Sequence, residues 1–217
     1  MPISVFVADD HTVVREGLQY LLESQKDIKV IGDAADGRQT VLQAQQLCPD
    51  VVVMDIAMPE LNGIEATRQI RESCPSTQVV ILSMYATTEH IFRALQAGAL
   101  GYLLKESAAV EVVNAVRAVH DGRRYFCKKI DGIMIDTYIH NRQVSGAKSP
   151  LESLSLRERE ILQLVVEGKS SAEISIILTL SRKTVETYRS RLMQKLGIKD
   201  IPGLVKFAIL HGLTRPE

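Results

Sequence analysis

Short apolar runs alternate five times with amphipathic segments across residues 1–121, and this alternation restricts the fold more than any other feature of the chain. The runs lie near 3–8, 28–33, 51–55, 79–83 and 101–104 and are rich in Val and Ile, the mark of strands buried on both faces. Helical segments are expected near 12–24, 37–47, 63–73, 88–97 and 108–120. The third opens on Asn62 as N-cap, with Glu65 three residues on and Pro59 as a breaker ahead of it. Five βα units predict an α/β fold: a doubly wound, five-stranded parallel sheet with helices on both faces. Strand order is not determined at this level.

The strand ends carry the chemistry. Asp9 and Asp10 close the first run, Asp55 the third, Ser83 the fourth and Lys105 the fifth. In a parallel sheet these ends share one edge, where such folds bind ligands. Carboxylates crowded there repel by about 4 kcal/mol per pair at ~4 Å in an effective dielectric near ~20. A hard divalent cation relieves the repulsion, and Mg²⁺ accepts oxygen ligands while keeping several waters. The expected ligands are Asp10 and Asp55, with Asp9 acting through water and the Ala57 carbonyl adding an oxygen. A carboxylate so placed can accept a phosphoryl group as an acyl phosphate. Lys105 would pair with its oxygens and the Ser83 hydroxyl would bond to one. Singly these residues say little: an Asp-Asp pair often opens a solvated helix, and a strand-end Lys often snorkels. Their joint occurrence in register is what points to a site.

The second half reads as helical throughout. Ser155 with Glu158, and Ser170 with Glu173, form two capping boxes; Ser181 opens a third helix from Arg182 to about Leu196, and a fourth runs near 202–210. Gly168 and Gly197 supply stops, so residues 152–217 predict a small all-α four-helix domain. Its expected core is Ile161, Leu162, Val165, Ile174, Ile177, Leu178, Val185, Leu192 and Leu196. Between the halves, residues 122–151 hold apolar positions at Ile130, Ile133, Met134 and Tyr138, spaced for a short connector helix, and then a Ser/Gly-rich linker at 145–150.

The zero net charge conceals an asymmetry. Residues 1–121 carry 9 Lys+Arg against 16 Asp+Glu (−7), and residues 122–217 carry 17 against 10 (+7). An acidic front and a basic back suit a metal-binding module joined to a nucleic-acid-binding one. Residues 151–217 alone hold only +3, from 11 basic and 8 acidic side chains. Cys48, Cys74 and Cys127 are odd in number and far apart in sequence, and suggest neither a disulfide framework nor a zinc site. No membrane span and no signal peptide are read, so the expected location is the cytoplasm.

The segments FVADDH, VVVMDIAMPELNGIEA, VVILSMY and GYLLKES closely resemble the receiver domain of bacterial two-component response regulators, over essentially all of residues 1–121. The resemblance implies that Asp55 is the phosphoacceptor, that a sensor histidine kinase is the donor and that Mg²⁺ is required. It also makes Ser83 and Tyr102 the hydroxyl and aromatic positions that rearrange together on phosphorylation. Met84 is larger than the Ala or Gly common after that hydroxyl, so slow spontaneous dephosphorylation is expected. Glu106 stands where many receivers place Pro after a cis bond, a geometry that a Lys-Glu peptide strongly disfavours.

The segment LSLREREILQLVVEGKSSAEISIILTLSRKTVETYRSRLMQKLGI resembles the LuxR-type helix-turn-helix of NarL/FixJ-type regulators. The recognition helix would then present Lys183, Glu186, Thr187 and Ser190 to base edges, with Thr184, Tyr188, Arg189, Arg191 and Lys195 around the phosphates and Arg182 as a further DNA-binding side chain. The last helix would pair two heads through Ile201, Leu204, Val205, Ala208 and Ile209. The whole reads as a transcription regulator whose phosphorylation governs homodimerisation and binding to a two-fold operator in double-stranded DNA. Two rivals are weaker. Aspartate-nucleophile phosphatases resemble a D-x-D pattern, and position 57 is Ala; a pure protein-interaction switch would suit a recognition helix stripped of its basic residues.

Overall fold

Val51, Val52, Val53 and Met54 are all buried, and the strand they form lies inside a parallel sheet that organises the first half of the chain. The computed structural model describes residues 1–107, 109–130, 150–211 and 213–214, which fall into two compact units, 1–145 and 146–217. The first unit runs β1 (Ile3–Ala8), α1 (Thr12–Glu23), β2 (Ile28–Ala34), α2 (Gly37–Leu47), β3 (Val51–Met54), α3 (Gly63–Ser73), β4 (Gln78–Ser83), α4 (Thr88–Gln96), β5 (Gly101–Leu104), α5 (Ala109–His120) and β6 (Tyr125–Phe126). All strand pairs are parallel, in the order β2-β1-β3-β4-β5-β6. Helix α1 packs beside α5, while α2, α3 and α4 pack in succession, so both faces are covered. The order reverses at β1, which places the crevice between the carboxyl ends of β1 and β3 at the sheet's switch point.

A sixth strand extends the expected five. Gly122 (φ +75°) ends α5 and turns the chain back, Tyr125 N–H donates to the Leu100 carbonyl at 3.1 Å, and Phe126 stands in register with Tyr102. Ile130 is fully buried in the same core, a burial worth about 1.5–3 kcal/mol. The first unit thus extends past residue 121. The connector helix and the linker expected over 130–150 lie almost wholly outside the described residues.

Two glycines hold the loop that follows β3. A Cβ on Gly63 would meet the Asp55 carbonyl oxygen at 1.9 Å, and one on Gly37 would meet that of Leu61 at 1.8 Å. Only hydrogen fits either contact, so α2 and α3 press directly on the backbone of residues 55–61. Asn62 caps α3 by accepting from Ile64 and Glu65 N–H.

In the second unit a 3-10 turn (Pro150–Ser153) precedes α6 (Leu156–Val166), α7 (Ser171–Ile177), α8 (Arg182–Leu196) and α9 (Ile201–Leu210). Both expected capping boxes form, and the Ser181 hydroxyl accepts from Thr184 N–H at 3.0 Å. Ile161, Leu162, Val165, Ile174, Leu178, Val185 and Leu192 are buried as expected, whereas Ile177 and Leu196 are only partly so. Leu151, Leu154, Leu204, Ala208 and Leu213 complete this core. The turn from α7 to α8 passes through Thr179 at φ +52°, a conformation that costs a β-branched residue about 1–2 kcal/mol. Glu158 does double duty: it caps α6 and accepts from Lys195 Nζ at 2.7 Å, tying the start of α6 to the end of α8. Burial works to raise its carboxyl, but Lys195 and Ser155 together hold it below the usual range.

Gly63→Ala is expected to cost about 2–3 kcal/mol or more in urea unfolding, because backbone rather than a side chain blocks the new methyl. Gly17→Ala, in α1 with nothing within 4 Å of the new Cβ, is expected to gain about 0.5–1 kcal/mol. Glu158→Gln is expected to lose about 1–2 kcal/mol at neutral pH. A depressed carboxyl stabilises above its unfolded pKa and loses that contribution as pH falls through the folded value. The gap between variant and wild type should therefore close below about pH 4 in a pH series of denaturation curves.

Candidate functional sites: an acidic pocket and a basic helix

The carboxyl ends of β1, β3 and β5 bring five side chains together: Asp9, Asp10, His11, Asp55 and Lys105. Asp55 is 2% exposed; its backbone N–H donates to the Ala8 carbonyl, and its Oδ1 accepts from Ile56 N–H at 2.7 Å. Lys105 Nζ reaches across from β5 to Asp55 Oδ2 at 2.8 Å and Asp9 Oδ2 at 2.7 Å. Asp10 sits at the more open side, with His11 Nδ1 2.8 Å from its Oδ1 and 3.2 Å from Asp9 Oδ1. One ligand atom from each of Asp9, Asp10, His11 and Asp55 lies within 4.8 Å of the others. One ammonium does not neutralise three carboxylates, and this excess of oxygen ligands on one side fits a hard divalent cation such as Mg²⁺. His11 was not singled out from the sequence, although its place directly after the Asp-Asp pair was the available signal.

Ser83 and Tyr102 meet on one residue. The fully buried Ser83 hydroxyl accepts from Tyr85 N–H at 3.1 Å, and the Tyr102 hydroxyl donates to the Tyr85 carbonyl at 2.8 Å. Burial pushes the Tyr102 phenol well up, with the Ser83 hydroxyl opposing and the Asp55 charge adding to the rise, so it stays a donor at any working pH. The Tyr85 ring stacks on His90 of α4, centroids 4.6 Å apart and 7° from parallel. Tyr85 therefore couples the β4–α4 loop to β5, a role that spacing alone does not reveal.

Beside this pair lies a crevice of about 60 Å³ lined by Ser83, Met84, Ala86, Leu104, Lys105, Glu106 and Lys129. Met84 is 71% exposed at its edge. No cis peptide occurs among the described residues, so the Lys105–Glu106 bond is trans, and Glu106 projects to pair with Lys129 Nζ at 2.8 Å. Ala57 is buried in the loop after β3.

On α8, Arg182, Lys183, Glu186, Thr187, Ser190, Arg191 and Lys195 are exposed, and Thr184, Tyr188 and Arg189 are half-buried. Four of the expected phosphate contacts have partners inside the unit, the Thr184 hydroxyl lying 2.7 Å from Ser181 Oγ. Tyr188 packs on the helical core, Arg189 Nη1 donates to Ser171 Oγ at 2.9 Å, and Lys195 holds Glu158. Arg182 Nε pairs with Glu186 at 3.2 Å, one turn along. On α9 the candidates divide. Leu204 and Ala208 are buried against α6 and cannot face a second copy, a correction that follows from the small unit needing them to close its core. Ile201, Val205 and Ile209 line an open apolar surface with Pro202, Lys206 and Leu210. No helix among the described residues is long and apolar enough to cross a membrane.

Comparison with known proteins agrees with both halves. Residues 5–117 match the response regulator receiver domain, and residues 152–208 match the bacterial regulatory proteins of the luxR family. The chain is 40% identical over 215 residues to the response regulator UvrY of Escherichia coli, covering 99% of this chain and 97% of that protein. It is 38% identical over 210 residues to the oxygen regulatory protein NreC of Staphylococcus carnosus, covering 95% and 97%. Among solved structures, a LuxR-family two-component response regulator from Aurantimonas sp. SI85-9A1 superposes with a TM-score of 0.62 at 33% identity, over 64% of this chain and 99% of that one. An acidic strand-edge pocket and a capped basic helix, each matched by its own family, make this chain a member of the two-component response regulators, a transcription regulator that joins a receiver domain to a LuxR-type DNA-binding domain.

Proposed function

We propose that Asp55 accepts a phosphoryl group from a sensor histidine kinase in the cytoplasm, and that this drives homodimerisation and binding to a two-fold operator in double-stranded DNA. The observation that carries the reading is the Lys105 ammonium shared between Asp9 and Asp55 in a pocket with a third carboxylate. An Asp55 carboxylate oxygen attacks phosphorus while the P–N bond of the donor phosphohistidine breaks, its electron pair returning to the imidazole. Mg²⁺, held by Asp10 and Asp55 with Asp9 behind and the Ala57 carbonyl as a further oxygen, would supply the charge neutralisation that this transfer needs. Lys105 is placed to follow the new phosphoryl oxygens while keeping its bond to Asp9. Ser83 accepts from Tyr85, which leaves its own proton for a phosphoryl oxygen. A turn of Ser83 toward Asp55 loosens its hold on Tyr85, the same residue that Tyr102 grips, so the two states differ at one loop. Phosphorylation shifts the balance only by its differential stabilisation of those states.

In this reading residues 1–121 form the receiver, to which the start of the 122–151 connector adds β6 and Ile130, and 152–217 form the DNA-binding domain. Lys183, Glu186, Thr187 and Ser190 face base edges; Arg182, Thr184 and Arg191 face phosphates; Tyr188, Arg189 and Lys195 brace the helix that does so. Ile201, Val205 and Ile209 provide the apolar contact between two copies. With Ala at position 57 no general acid accompanies Asp55, so the chain turns over at most slowly as its own phosphatase, with Met84 at the edge of the pocket limiting water.

Incubation with Mg²⁺ and a small acyl-phosphate donor should add one phosphoryl group to the wild type and none to Asp55→Asn by intact mass. Met84→Ala should lose the group faster than wild type in the same assay; equal rates would remove Met84 from the account. For DNA, Lys183→Ala is expected to weaken operator binding by roughly 5- to 100-fold in fluorescence anisotropy, with relaxed sequence preference. Arg191→Ala should weaken all sequences alike and lower the salt slope by about one per copy.

A further inference from the structure

Two of the three cysteines, 26 residues apart in the chain, stand with their sulfurs 3.8 Å from one another. Cys48 is the C-cap of α2, in a left-handed conformation (φ +43°), and Cys74 is the C-cap of α3. Successive βα units return to the same sheet edge, so equivalent caps become neighbours however far apart they are in sequence. Separation in sequence thus does not keep Cys48 and Cys74 apart in space. Both are free thiols; Cys48 is exposed and Cys74 buried.

The surrounding backbone fixes the pair in place. Thr77 Oγ1 donates to the Pro49 carbonyl at 2.8 Å and Gln78 N–H to the Asp50 carbonyl at 2.9 Å, so the chain just after each cysteine is bonded to the chain after the other. Asp50 is anchored in turn by the Ser4 hydroxyl and N–H. A disulfide bond of about 2.05 Å requires the two sulfurs, 3.8 Å apart, to close by less than 2 Å.

We propose that Cys48 and Cys74 form a reversible intramolecular disulfide on exposure to a peroxide, a modification site on the sheet edge opposite the phosphoryl pocket. The exposed Cys48 thiolate attacks the peroxide oxygen and becomes a sulfenic acid, releasing the first water once a proton is taken up. The Cys74 thiolate then attacks the Cys48 sulfur, expelling hydroxide, which takes up the proton Cys74 lost. Two thiols are oxidised by two electrons and one peroxide is reduced to two waters. Burial pushes the Cys74 thiol up, so the exposed Cys48 and not Cys74 is the first point of attack. The bond encloses β3, Asp55 and α3 in one covalent loop.

The full chain, reduced and then treated with hydrogen peroxide, tests this by peptide mapping under non-reducing conditions. A Cys48–Cys74 crosslinked peptide should appear, vanish with dithiothreitol, be absent in Cys48→Ser and persist in Cys127→Ser. The oxidised chain should melt about 5–15 °C above the reduced one, a gain lost in Cys48→Ser, whose exposed substitution leaves the reduced fold intact. Sulfinate or an external mixed disulfide on Cys48 with Cys74 still a thiol would overturn the proposal. So would crosslinks that run only between chains or through Cys127.

Discussion

The Lys105 ammonium, 2.7 Å from Asp9 and 2.8 Å from Asp55, is the contact on which the receiver half depends. Asp9 and Asp55 are almost completely buried on neighbouring strands, and two carboxylates so placed repel by several kcal/mol unless a charge of the other sign stands between them. Lys105 can stand there only because the carboxyl end of β5 lies on the same sheet edge as those of β1 and β3, which is a matter of sheet order and not of local sequence. The pocket is also left incompletely neutralised. Asp10 adds a third acidic group, and in the proposed function a cation and then a phosphoryl group would answer that imbalance. A pocket fully satisfied by its own side chains would have no reason to bind either.

From the pocket, structure runs outward along β5. The strand carries Tyr102, is followed at once by Lys105, and pairs on its far side with β6, where Phe126 lies in register with Tyr102 and Cys127 N–H donates to the Tyr102 carbonyl. Lys129 then returns to Glu106. The chain leaving the receiver is therefore hydrogen-bonded to the same strand that supplies the pocket's cation and its aromatic group. Glu106, in the position where a proline is common, fits this arrangement: on a trans peptide it offers a carboxylate to the departing segment, which proline would not.

Most of the fold was legible because its elements are long and periodic. The five principal strands and their helices fall within a residue or two of expectation, and the capping boxes at Ser155 and Ser170 form as their spacing demands. The exceptions share a cause. Strand β6 is two residues long and has no period to detect. Tyr85 acts through its backbone, which carries no side-chain signature. The Cys48–Cys74 pair depends on which helix ends become neighbours. An apolar stripe on a terminal helix does not say which residues meet its own domain, and a unit this small needs Leu204 and Ala208 to close its core.

The partners found on α8 bear on how such a head can hold DNA. Arg189 and Lys195 are bound to Ser171 and Glu158, and the Arg182 charge is offset by Glu186 one turn away. Lys183 and Arg191 are exposed cations of this helix, on a segment whose net charge is only +3. Each neutralised phosphate contributes a salt slope of about −0.9, so a single head with so few contacts binds weakly and loses most of that binding at physiological salt. Glu186 lowers affinity further wherever it faces a phosphate, and repays that only over a cytosine amine. A helix built this way trades strength for discrimination. In the proposed function a second head in the same complex would supply the missing affinity, with the open apolar surface of Ile201, Val205 and Ile209 as its contact.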